Sequence, residues 1–186
     1  MKILFVNACV RKESRTRRLA ERVLEKLQNE NDEVEEINAA GVDPIRSEDF
    51  IIYRSSSSEK KDFSDPVFAP ARQFAKAEVI VVAAPYWDLS FPAILKSYFE
   101  QINVVGLTFE YTEDGRPRGL CKAKRLIYVT TAGGPIISET YGFGYVKTMA
   151  QAFYGIPDVQ QIKAEMLDVV GADVEKILEE AYAVGG

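Results

Sequence analysis

Histidine is absent from this chain of 186 residues. That removes the Ser-His-Asp triad, the Cys-His pair and every histidine-ligated metal site. Cys9 and Cys121 are the only cysteines, far apart and in no CxxC, so neither a zinc site nor a disulfide framework is expected. No uncharged run is long enough to span a bilayer, and Met1–Val10 lacks the layout of a cleavable signal. A cytoplasmic location is expected. The glycine-rich phosphate signatures GxGxxG and GxxxxGK(S/T) are missing too. A formal net charge of −5 argues against nucleic acid as a partner, because such binding draws on phosphate neutralisation. Any enzymic chemistry therefore falls to a bound cofactor.

What remains is the composition of a soluble domain, 47% hydrophobic and 27% charged, long enough for one full core over residues 1–186. The richest segment is Val79–Gln101, VIVVAAPYWDLSFPAILKSYFEQ. An uncharged strand over Val79–Ala84 stops at an aromatic loop and re-enters a helix over Phe91–Asn103. Further strands are expected at Lys2–Ala8, Glu33–Ile37, Arg125–Thr131 and Val159–Met166. Helices are expected at Thr16–Gln28, Pro66–Ala77, Tyr145–Tyr154 and Ala172–Ala183, with Arg54–Lys61 (RSSSSEKK) as an exposed loop. Asp114-Gly115 marks a hairpin within Thr108–Cys121. This alternation implies an α/β fold: a five-stranded parallel sheet of order 2-1-3-4-5, helices on both faces, in a three-layer sandwich of flavodoxin type.

In such sheets ligands bind beyond the carboxyl ends of the strands, where three loops stand out. CVRKESRT, from Cys9 to Thr16, opens a helix, and five of the eight residues from Arg11 to Arg18 are basic. It reads equally as an anion cradle or as a capped helix with solvated arginines. In PYWDLS, Tyr86 and Trp87 suit a flat ring or core packing, and Asp88 suits a helix cap. In TTAGGP, Gly133-Gly134 allows close approach of backbone to a ligand, or a mere turn. Together they describe a phosphate at the first loop and a planar ring between the other two.

On these residues the chain resembles the flavodoxin-like NAD(P)H:quinone reductases and the FMN-dependent NADH-azoreductases. CVRKESRT is similar to that family's S-P-R-K-x-S-x-T loop, and APYWDLSFPAILKSYFEQI to its A-P-x-Y-x-F-x-x-P-x-x-L-K-x-Y-x-D. AGVDPIRSEDF, VTTAGGP and FYGIPDVQQIKAEML match further segments, so the likeness runs from about Lys2 to about Met166. It implies non-covalent FMN in a homodimer, NADH or NADPH as donor, and a quinone, azo or nitro compound as acceptor, in ping-pong order. By position, Ser14, Arg15 and Thr16 hold the phosphate, with Cys9 in a slot usually filled by serine. Pro85, Tyr86, Trp87, Asp88 and Leu89 wrap the isoalloxazine; Thr131, Ala132, Gly133 and Gly134 hold its pyrimidine side. Because a thiol is a weaker donor than a hydroxyl, Arg11 or Arg15 takes more of the phosphate. Phe109, Tyr111, Tyr141 and Tyr145 are candidates for the shared pocket, and the Phe91–Asn103 helix for the dimer interface. Two alternatives are a flavodoxin-type electron carrier and a binding module that has kept the fold but lost the flavin.

Overall fold

Val79–Ala83 carries no charge and is buried at every position, as a strand covered on both faces must be. Four more strands join it in a computed structural model that describes residues 1–184. In chain order the elements are β1 (Lys2–Asn7), α1 (Arg15–Leu27), β2 (Glu33–Asn38), α2 (Glu48–Lys60), α3 (Ala69–Lys76), β3 (Val79–Ala83) and α4 (Ala93–Ile102). There follow the hairpin β4 (Phe109–Tyr111) and β5 (Pro117–Gly119), then β6 (Arg125–Thr131), α5 (Phe143–Met149), β7 (Asp158–Ala164) and α6 (Val174–Val184). A π-helical turn, Ala150–Tyr154, continues α5.

The sheet runs β2-β1-β3-β6-β7, all parallel, which is the expected order once the hairpin strands are left out of the count. Alternation along the strands splits the core in two. Leu4, Val6, Ile80 and Val82 meet Phe74 of α3, Leu95 and Tyr98 of α4 and Val146 of α5. Ile3, Phe5 and Val81 meet Leu19 and Val23 of α1 and Leu178 of α6. The register aligns Asn7 with Ala83, and Thr131 with Ala164, so the strands end along one edge. The hairpin packs on the π-turn at Gly119, where an added Cβ would fall 2.1 Å from the Tyr154 carbonyl carbon.

Contrary to expectation, Arg54–Lys61 is not an exposed loop: Arg54 to Lys60 form the second half of α2, Lys61 is its C-cap, and Arg54 and Ser57 are buried. Four serines give the helix no apolar stripe, so periodicity misses it. Its anchors are local and tertiary. Ser47 caps it by accepting from the Phe50 amide, and Glu48 and Asp49 sit in the favourable first turn. The Arg54 guanidinium donates to the carbonyls of Glu100, Gln101 and Asn103, closing the carboxyl end of α4.

Candidate functional site

At the carboxyl edge of the sheet the loops enclose a cavity of about 350 Å³. It is lined by Val10, Arg11, Glu13, Ser14, Arg15 and Thr16 from the first loop, Pro85, Tyr86 and Trp87 from the second, and Thr131, Ala132 and Gly133 from the third. Leu167 and Asp168, which follow β7, complete it.

The first loop makes a cradle at the start of α1. Ser14 is the N-cap, its hydroxyl oxygen accepting from the Arg17 amide at 3.2 Å. Among the described residues, the amides of Arg11 to Thr16 donate to no protein acceptor. Unpaired amides at a helix start, aided by the helix dipole, suit an anion. Thr16 and Thr131 share a hydrogen bond of 2.6 Å between buried hydroxyls, fixing α1 against the end of β6. Cys9 lies behind the cradle: its thiol donates to the Ala83 carbonyl, and burial pushes its pKa up.

The second loop is a tight turn closed by two bonds, Trp87 N to Ser90 O at 3.0 Å and Ser90 N to Trp87 O at 2.8 Å. Its central residues, Asp88 and Leu89, have φ of 50° and 70°. Turns with both central φ positive normally use glycine or asparagine, so a leucine there is strained. The Asp88 and Leu89 amides have no partner among the described residues. Tyr86 N donates to Thr131 O at 2.9 Å, and Ser90 Oγ to Tyr141 O at 2.7 Å, so the turn is held from both sides.

In the third loop neither Gly133 nor Gly134 has a positive φ. Gly133 makes room for Asp168: an added Cβ would lie 2.2 Å from Asp168 Oδ2 and would push that carboxylate aside. Asp168 N bonds Gly133 O at 2.8 Å, and Met166 N bonds Gly134 O at 3.1 Å, so the two loops brace each other. Beyond them Glu165 accepts from the Ile136 amide at 2.6 Å, while Lys163 bonds both Glu139 and Glu165. This clamp holds the segment that carries Ile137 and Tyr141.

Nine of the residues expected from the sequence line the cavity: Ser14, Arg15, Thr16, Pro85, Tyr86, Trp87, Thr131, Ala132 and Gly133. Cys9, Asp88, Leu89 and Gly134 stand beside it without lining it. Leu167 and Asp168 escaped sequence reading, though β7 pairs with β6 in parallel, so its loop had to open on the same edge. Tyr141 and Tyr145 line a second, wider cavity of about 650 Å³ with Ser90, Phe91 and Lys96. Phe109 and Tyr111 belong to neither; they pack on each other, and Phe109 on Phe153.

A cradle of free amides and hydroxyls beside an aromatic wall fits a phosphate joined to a flat ring. A family model described as the flavodoxin-like fold matches residues 1–184. The "FMN-dependent NADH:quinone oxidoreductase 2" of Clostridium acetobutylicum is 39% identical to the chain, over 95% of it and 92% of that relative. An "FMN-dependent NADH:quinone oxidoreductase" of Lachnoclostridium phytofermentans is 37% identical over 100% and 96%. Among solved structures, an azoreductase from Bacillus anthracis str. Sterne superposes with a TM-score of 0.80 at 26% identity, over 100% of this chain and 98% of that one.

Proposed function

The chain belongs to the flavodoxin-like fold family, and from that premise we propose that it is an FMN-dependent oxidoreductase that moves two electrons from NADH to a quinone or azo acceptor. The observation that carries this reading is the convergence of an unpaired-amide cradle and an aromatic wall on one cavity. Bound FMN would supply the redox chemistry, accepting hydride from NADH and passing two electrons on.

The chain's own residues bind and orient. Ser14 and Thr16 hydroxyls and the Arg11–Thr16 amides take the phosphate. Pro85, Tyr86 and Trp87 form the wall for the ring, and the unpartnered Asp88 and Leu89 amides are donors at its edge. Gly133 and Gly134 amides, which also lack protein acceptors among the described residues, stabilise negative charge on the pyrimidine side. No side-chain base is required, in keeping with a chain that has no histidine.

The proposed assembly is a homodimer. Trp87, Leu89, Ile137, Tyr141, Val169 and Val170 are all exposed around the cavity, an apolar rim that a second copy would cover. Sedimentation at micromolar concentration is expected to give a dimer; a fully active monomer would remove this part of the proposal.

The first test is FMN titration of the apo-protein followed by flavin fluorescence, with NADH then added anaerobically. Stoichiometric quenching and rapid bleaching are expected. Binding without bleaching would indicate an electron carrier, and no binding would overturn the flavin reading.

A further inference from the structure

Four charged side chains line the cavity, Arg11, Glu13, Arg15 and Asp168, and their formal charges cancel. The basic run that marks this loop in the sequence is mostly neutralised in the fold. Arg17 pairs with Glu21 and Glu36, and Arg18 with Glu175. Arg15 Nη1 donates to Asp168 Oδ1 at 2.6 Å and to the Leu167 carbonyl at 3.3 Å. Among the described residues Arg11 makes no ion pair and no side-chain hydrogen bond; nor does Glu13, which faces the same cavity. Arg11 is thus the one lining cation whose guanidinium is uncommitted.

We propose, on the premise that the cavity takes FMN, that Arg11 is the cation that recognises the phosphate and that Asp168 withholds Arg15 from it. Turning Arg15 towards a phosphate would exchange one charge-assisted bond for another. It would also leave the Asp168 carboxylate bare beside the new anion. The Asp168 backbone is fixed, because its amide bonds Gly133 O, and its carboxylate fills the space that a Gly133 Cβ would take. The pair is a neutral strap between α1 and the loop after β7, and its carboxylate sets the net charge that the phosphate meets. Arg11 has no such tie. It is exposed, lies at the rim and loses no protein bond on turning inward.

The quantity to measure is the ratio of the riboflavin Kd to the FMN Kd, since the two ligands share everything except the phosphate. Arg11→Ala is expected to lower that ratio about tenfold, with riboflavin affinity and thermal stability unchanged. Arg11→Lys should retain most of it. Asp168→Asn is expected to raise the ratio about threefold, as a negative charge leaves the phosphate's surroundings. The double variant Arg15→Ala with Asp168→Asn removes the strap at constant net charge and should leave the ratio within about twofold of wild type. A double variant that loses the ratio as Arg11→Ala should, an Arg11→Ala protein that keeps it, or a fall with Asp168→Asn would each overturn the assignment. A wild-type protein that binds neither flavin would instead overturn the flavin reading, and this inference with it. The two failures are separate because one shows in wild type and the other only in the variants.

Discussion

At the amino-terminal edge of the sheet each strand is tied to the next. Lys2 N donates to Glu78 Oε2 and Glu78 N to Lys2 O; Lys124 N donates to Glu78 O, and Arg125 pairs with Asp158. At the carboxyl-terminal edge the same strands open into loops whose amides go unpaired, whose tightest turn holds two non-glycine residues at positive φ, and whose rim is apolar. The backbone geometry of the strands is the same at both ends. One end has satisfied its own hydrogen-bonding groups, and the other has kept them for something else. A protein retains such an end at a cost in stability, which a ligand binding only the folded state returns.

The comparison breaks most visibly at Thr16. The Thr16–Thr131 bond is a buried polar tie between the start of α1 and the end of β6. Thr16→Val keeps the shape and leaves the Thr131 hydroxyl without its partner, which should cost about 1–3 kcal/mol. FMN affinity should fall by roughly tenfold or more as the cradle loosens. Urea unfolding and the fluorescence titration check the two effects; an unchanged unfolding midpoint would show that the bond is not structural.

A smaller effect should appear on acidification. Burial alone would raise the Glu165 pKa, but the Ile136 amide and the Lys163 ammonium outweigh it and hold it below its ordinary value of 4.5. A carboxylate lowered in the folded state contributes stability above its unfolded pKa and loses it as pH falls through the folded one. The segment 135–141 should therefore loosen below about pH 4.5 while the amino-terminal edge stays protected. In Glu165→Gln the same loosening should be present at neutral pH, at a cost of about 0.5–1 kcal/mol. Hydrogen exchange resolves the segment, and uniform exchange along the chain would contradict the clamp.

Leu89→Gly should sharpen the contrast in the opposite direction. Relief of the left-handed leucine, set against glycine's larger unfolded-state entropy, should stabilise the apo-protein by about 0.5 kcal/mol. The less rigid turn should weaken FMN binding about twofold. If the variant is less stable, Leu89 contributes more by packing than it costs by strain.

These contrasts explain which parts could be read from sequence. The sheet order and the cavity were legible because uncharged strands and the loops after them lie contiguous in the chain: VIVVAAPYW carries both in one run. Helix α2 was hidden because Arg54 is bound by carbonyls almost fifty residues away. The cradle was legible as basic but not as neutral, since Glu36, Asp168 and Glu175 cancel its arginines from distant segments. The strain at Leu89 left no mark, because Asp-Leu-Ser is not a glycine-type turn signal. Local chemistry shows in the order of residues; compensation by distant partners does not.

The smallest effect at neutral pH lies at the tied end. Cys121 precedes β6, its thiol donates to the Thr108 carbonyl, and burial raises its pKa from 9.0 to about 12. The folded state thus holds the proton more tightly than the unfolded chain does. Its contribution to stability is complete below pH 9.0 and is lost as pH rises towards about 12, because only the unfolded chain releases the proton in that window. Between pH 7 and 8 no dependence on this group is expected, and alkylation of Cys121 should be slow until the protein unfolds. Rapid labelling of Cys121 in native protein would show that the tied end opens as readily as the unsatisfied one, and the distinction between the two edges would fail there.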